Sequence, residues 1–192
     1  MKRVALMLLV LVLVSGTAFA AGTGNPAGSG MSVDLSGNYA SEPEGGFDGT
    51  FGPELGFNVD LNRIGLNVGA SKNVEVQGRA SLSYYNWDQS FFGNDIEYRR
   101  IPFFLGGRVA TAVSPQIKLY GQLGLEISFD KAEVFIPGLG KFSESDTNLG
   151  LTPGVGILFP VSNQIYVGGN VSWHIIENNY FTIGVTVGLN LP

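Results

Sequence analysis

The chain has 192 residues, no cysteine, and 11 Lys and Arg residues against 16 Asp and Glu. An acidic balance lacks the basic footprint that nucleic acid requires, and without cysteine there is neither a disulfide framework nor thiol chemistry. Charged residues are only 14% of the chain and glycines number 28, against roughly 25% charge in soluble globular proteins.

Lys2 and Arg3 precede an apolar run from Val4 to Val14 and the small residues around Ala18 and Ala20. A basic start, an apolar run too short to span a bilayer and a small-x-small site mark a secretory signal peptide. The expected organisation is a cleaved signal over residues 1–20, a flexible lead-in over 21–30, and one domain over 31–192. Removing Lys2 and Arg3 leaves nine basic residues against sixteen acidic ones, a net charge of about −7.

From residue 31 the pattern has a period of two, which places successive side chains on opposite faces of an extended strand. The first strand spans Met31 to Ala40, with Met31, Val33, Leu35 and Tyr39 against Ser32, Asp34 and Ser36. An acidic, glycine-rich loop over residues 41–52 follows. The second strand sets Leu55, Phe57, Val59 and Leu61 against Asn58 and Asp60. Its phase slips at Ile64, Leu66 and Val68, so either a bulge lies near Asn62-Arg63 or the strand ends in a longer connection. The third strand runs from Val74 to Trp87, and residues 88–96 form a polar loop containing Phe91-Phe92.

The clearest stretch is Glu97 to Asp130, two strands about a turn at Ser114-Pro115-Gln116. Odd positions give Ile101, Phe103, Leu105, Val109, Leu119, Leu123, Leu125 and Ile127, whereas even positions carry Arg100, Arg108, Lys118 and Glu126. Both polar faces are even, so the turn has three residues or a bulge, which sets Arg100 near Asp130 and Arg108 beside Gln122. Residues 131–148 form the longest break, punctuated by Pro137-Gly138 and Gly140. Three further strands cover 149–160, 165–175 and 181–191.

Eight strands with alternately short and longer connections predict an all-β, antiparallel, up-and-down transmembrane β-barrel with its apolar face outward. The polar face is rich in glycine (Gly106, Gly124, Gly150, Gly156, Gly184, Gly188) and poor in Lys and Glu, which suits the narrow interior of an eight-stranded barrel better than a soluble surface. Tyr39, Tyr84, Phe129, Phe159, Trp173 and Phe181 fall near the ends of the apolar band, as interfacial aromatics do. The inward charges Asp60, Glu75, Arg79, Arg100, Arg108, Lys118 and Glu126, with Asp130 at the rim, are expected to pair and plug the lumen, because unpaired charge in a dry interior is costly.

The run Tyr98-Arg99-Arg100-Ile101-Pro102-Phe103-Phe104-Leu105-Gly106-Gly107-Arg108 and the strand Leu119-Tyr120-Gly121-Gln122-Leu123-Gly124-Leu125 resemble the small outer-membrane β-barrel proteins of Gram-negative bacteria, the porin family or the OmpA-like and OmpW-like barrel domains. That resemblance implies an outer-membrane location, with outer-membrane lipid, lipopolysaccharide and the barrel-assembly machinery as partners. The family usually ends in an aromatic residue that assists assembly, and this chain departs from it by ending Leu189-Asn190-Leu191-Pro192. The OmpW-like resemblance also implies entry of a small hydrophobic solute, for which Phe91-Phe92 and Val134-Phe135-Ile136 are candidates; they equally fit strands that extend above the membrane. Arg99 points outward by the upper rim, where lipopolysaccharide phosphates lie.

His174 is the single histidine, with Ser172 two residues before and Glu177 three after. The set resembles the triad of an outer-membrane lipid A deacylase family, but there the histidine precedes the serine and both point outward. Here the order is reversed and both point inward, so a hydrogen-bonded lumen histidine is the expectation. With one histidine and no cysteine no zinc site is visible, and no cofactor motif appears. The expected function is therefore a structural or surface-interaction outer-membrane barrel that is not an enzyme. The alternatives are a narrow conduit for small, hydrophobic solutes and a soluble periplasmic lipocalin-like binder. A structure with Leu123, Leu125 and Ile127 facing outward would exclude the last.

Overall fold

The computed structural model describes residues 30–43, 48–62, 64–66, 74–91 and 94–192, without the side chains of 90, 91, 94 and 95. The expected signal peptide, residues 21–29 of the lead-in and Phe92 lie outside the described residues. Among the described residues every regular element is a strand, and all pairings are antiparallel. In chain order they are β1 (Met31–Ala40), β2 (Thr50–Asp60), β3 (Val74–Ser83), β4 (Tyr85–Phe91), β5 (Asn94–Ser114), β6 (Ile117–Ile136), β7 (Gly140–Pro160), β8 (Ile165–His174) and β9 (Tyr180–Asn190). Neighbours in sequence pair except β3 and β4, β1 pairs β9, and β3 pairs β5.

These nine segments make eight staves, because β3 and β4 are successive parts of one stave broken at Tyr84 and both lie along β5. The ring therefore has no free edge along the barrel body, which a strand in hydrocarbon requires to satisfy its backbone. The period of two becomes inside and outside. Leu125 is 53% exposed on the outer face while its neighbour Glu126 is 1% exposed in the lumen. Leu123 and Ile127 face outward with Leu125, so the soluble binder with an apolar interior is excluded.

Two expectations about connections are corrected, and one left open between two alternatives is decided. Residues 131–148 are not a loop: β6 continues to Ile136 and β7 starts at Gly140, joined by a tight turn in which Gly138 and Gly140 take positive φ of 86° and 97°. Residues 88–96 are likewise mostly strand, since β4 reaches Phe91 and β5 begins at Asn94. Alternation weakens there because strands above the membrane have water on both faces, so polar composition mimics a loop. The phase slip after Asp60 is an ending rather than a bulge. Leu61 and Asn62 form a turn, with the Leu66 N–H donating to the Leu61 carbonyl at 2.9 Å.

At the turn between β5 and β6, Arg100 pairs Asp130 and Arg108 pairs Gln122, and the register shifts by one between Ala112 and Ser114. Inside, glycines make room for large neighbours. Gly106 and Gly124 face each other across β5 and β6, and a Cβ on either would meet both backbone and the Phe104 ring. Gly188 admits the Tyr166 ring in the same way. The lumen is thus layered: buried Ala40, Tyr85, Trp87, Ile176 and Tyr180 fill the upper part, Ala110, Tyr120, Leu158 and Tyr166 the lower, with polar residues between.

Candidate functional site

The chemistry-bearing side chains lie in the lumen, and strand parity puts them there. In the upper part Arg100, 0% exposed, is held by Asp130: Nε donates at 2.8 Å and one terminal nitrogen at 2.7 Å. The fork matches the carboxylate in the two-point geometry that makes arginine suited to buried pairs. Arg100 also donates to the carbonyls of Glu177 at 2.9 Å and Asn178 at 3.1 Å. Asn178 has φ of 59°, a left-handed conformation that asparagine tolerates. Arg100 therefore ties β5 and β6 to the turn between β8 and β9, and it lies over the Tyr180 ring at 5.1 Å.

Glu126, four residues along β6 from Asp130, takes a separate set of partners. It accepts from Thr152 Oγ1 at 2.6 Å and Tyr180 Oη at 3.2 Å, and pairs with His174 Nδ1. His174 Nε2 meets Thr182 Oγ1 at 3.1 Å, and its ring stacks on Tyr180 with centroids 4.1 Å apart. Glu126 and Arg100 form no direct ion pair; Tyr180 lies between them, its ring beneath the guanidinium and its hydroxyl on the Glu126 carboxylate. Ser172 and Glu177 are not drawn to His174 either: Ser172 Oγ accepts from Gln122 at 3.4 Å, and the Glu177 carbonyl serves Arg100.

In the lower half Arg79 donates to both oxygens of Asp34, at 2.7 and 3.1 Å, to Glu54 at 2.5 Å and to Asn58 at 2.8 Å. Tyr166 and Asn58 also donate to Asp34. Lys118 binds Glu75 at 2.5 Å near the lower mouth, where both are partly exposed. Arg108 is 4% exposed and has no carboxylate partner among the described residues. It donates to Gln122 Oε1 at 3.1 Å and covers the Tyr120 ring at 4.0 Å.

The expected lumen charges thus fall into several sets, some of them completed by residues outside that list. Sequence reasoning left out Asp34, Glu54 and the pairing of His174 with Glu126. Asp34 sat on the polar face of the first strand, and continuing the even parity of Asn58 back along β2 reaches Glu54. Which acid meets which base depends on inter-strand register around the ring, which one strand's pattern does not carry. Of the outer aromatics, Tyr39, Tyr84, Phe129, Trp173 and Phe181 lie toward the upper rim and Phe159 toward the lower. Trp173 is the register neighbour of Phe181, and the Tyr39 ring meets that of Phe51 edge to face at 5.3 Å.

The solved structure of OprG from Pseudomonas aeruginosa aligns with a TM-score of 0.58 at 10% identity, covering 86% of this chain and 97% of that one. Ail, the attachment invasion locus protein of Yersinia pestis, aligns with a TM-score of 0.54 at 16% identity over 83% and 95%. Neisserial surface protein A aligns at 0.53 and 15% over 84% and 96%. At these identities the likeness is one of fold. No curated protein matches the sequence. The family model described as outer membrane protein beta-barrel domain matches residues 6–191, nearly the whole sequence, in keeping with a closed ring that is apolar outside and polar within. The chain therefore belongs to the outer membrane protein beta-barrel domain family, and its place is the outer membrane of a Gram-negative bacterium.

Proposed function

We propose that this protein is a closed barrel with a structural or surface-interaction role rather than an enzyme or a conduit. The observation that carries this reading is the pairing across the lumen: Arg100 with Asp130 above, Arg79 with Asp34 and Glu54 below, and the Tyr85, Trp87, Tyr98 and Tyr180 rings capping the upper level. Opening a path would part several charge-assisted bonds at once in a dry interior. Glu126, His174 and Thr182 stand in the order of acid, base and hydroxyl, but all three are buried and Tyr180 covers the imidazole, leaving no room for a substrate at the hydroxyl.

What faces outward is the working surface. Arg99 and Lys131 are register neighbours just above the Ile101 and Phe129 pair, at the height of lipopolysaccharide headgroups. Phe135, Leu139 and Phe142 are exposed on the β6–β7 hairpin above the barrel, where a surface partner has access. Assembly by the barrel-assembly machinery follows from the family. Planar-bilayer recordings of the refolded protein test the reading: no unitary conductance is expected, and steady channels in the parent sequence would overturn it in favour of a conduit for small solutes.

A further inference from the structure

We propose that the pocket at the periplasmic mouth binds a small organic monocarboxylate, with its carboxylate on Arg108 and its apolar part against Leu158 and Pro160. The pocket opens on the rim that carries the short turns after β5 and β7, the periplasmic side of such a barrel. Its volume is about 380 Å³, at the small end of ligand sites. Arg108 lines it while being 4% exposed.

Two independent features mark this arginine. The other buried arginines, Arg79 and Arg100, each hold a carboxylate, whereas Arg108 holds none among the described residues. Among the described residues the amide oxygen of Gln122 is its one hydrogen-bonding side-chain partner, and its Nε, like that of Arg79, meets no acceptor. A guanidinium has five donors and no neutral form in proteins, so a buried one without an anion is the costly half of an ion pair. The Tyr120 ring holds it in place without neutralising it. An incoming carboxylate supplies the missing half.

The walls narrow the ligand class. Glu75 and Asp60 also line the pocket, the former neutralised by Lys118. With Asp60 and Glu75 set against Arg108 and Lys118, the lining lacks the net positive charge that a dianion such as hydrogen phosphate would need, and a single carboxylate is the better match. Leu158, Pro160 and Tyr166 give the pocket an apolar side, which suits a short aliphatic chain. The site lies below the paired level of Arg79 and Asp34, so it does not depend on whether the lumen opens.

The test uses the mature chain refolded in micelles and labelled with ¹⁵N, titrated with acetate, butyrate or hydrogen phosphate at pH 7 and constant ionic strength in chloride. The backbone amide resonances of the lining residues Leu158 and Tyr166 are the readout, with the Arg108 Nε–H resonance followed as well wherever Arg108 is retained. Saturable shifts in the millimolar range are expected for the monocarboxylates. Affinity should rise about fourfold for each methylene buried, and hydrogen phosphate should bind more weakly. Arg108→Gln should abolish saturation. If that variant does not refold, Gln77→Trp fills the mouth from β3 with Arg108 left in place, and must likewise abolish it. Shifts that never saturate, that chloride reproduces, or that persist unchanged in Arg108→Gln or Gln77→Trp overturn the proposal.

Discussion

Replacing Asp130 by asparagine removes the charge that Arg100 faces while leaving size and shape nearly unchanged. Asp130 accepts five hydrogen bonds: two from Arg100, and one each from Ser128 at 2.5 Å, Tyr98 at 2.8 Å and Asn148 at 3.0 Å. An amide keeps one acceptor oxygen and turns two donors toward groups that are themselves donors. Arg100 is 0% exposed and has only carbonyls, a hydroxyl and ring faces left. Removing one partner of a buried ion pair costs about 3–5 kcal/mol. With a urea slope of about 2 kcal/mol per molar, the unfolding midpoint should fall by about 1.5–2.5 M. The assay is urea unfolding in lipid vesicles, followed by buried Trp87 fluorescence and by heat-modifiable gel mobility. Asp146→Asn, the exposed register neighbour of Asp130 on β7, should change stability by no more than about 0.5 kcal/mol. The double variant Arg100→Met with Asp130→Leu should cost less than Asp130→Asn alone, since no buried charge remains. Asp130→Asn within 1 kcal/mol of the parent (about one pairwise hydrogen bond) would refute this account of the lumen.

Leu123→Arg, on the lipid face between the aromatic levels, should destabilise the vesicle-embedded barrel by about 2–4 kcal/mol; an unchanged midpoint would mean that this face is not in hydrocarbon. Gly124→Ala should cost about 1–3 kcal/mol, because the new methyl meets the Leu105 carbonyl and the Phe104 ring, whereas outward Gly121→Ala meets nothing within 4 Å and should be near neutral. Equal effects at the two glycines would contradict the packed lumen. On the β6–β7 hairpin, bonds from Lys131 and Lys141 hold the Glu133 carboxyl down at about 2. A depressed folded-state value means that the interaction supports the folded hairpin in full above the ordinary value of 4.5 and is lost as pH falls through about 2. A carboxyl-carbon NMR titration should therefore place Glu133 well below the other surface glutamates, and Lys141→Ala should move it back up.

The transmembrane part of the fold was legible because one face meets lipid: Leu119, Leu123, Leu125 and Ile127 against Tyr120, Gln122 and Glu126 leave only one register that keeps the apolar set outside. Above the membrane that constraint lapses. Lys131, Glu133, Ser143 and Ser145 lie in paired strands yet are polar whichever way they point, so residues 131–148 read as a loop. The same reasoning explains the site. Parity alone sent Arg79, Arg100, Arg108 and Glu126 inward, and the hairpin register set Arg100 opposite Asp130. The union of Arg79 with Asp34, or of Glu126 with His174, depends on how separate staves stagger around the ring, which no single stretch encodes.

The closing of β1 on β9 has a kinetic consequence. Ser36 and Thr186 bond at 2.7 Å across 150 residues of sequence, and Arg100 reaches the Asn178 carbonyl across 78. Such contacts cannot form until the last hairpin has arrived, so loop-closure entropy is spent long before the lumen pairs repay it. Hairpins such as β5–β6 form locally with half their interior charges still seeking partners. Folding should accordingly be slow and highly cooperative, with the register of β9 against β1 deciding whether polar contacts across the closure, such as Ser36 with Thr186, can form.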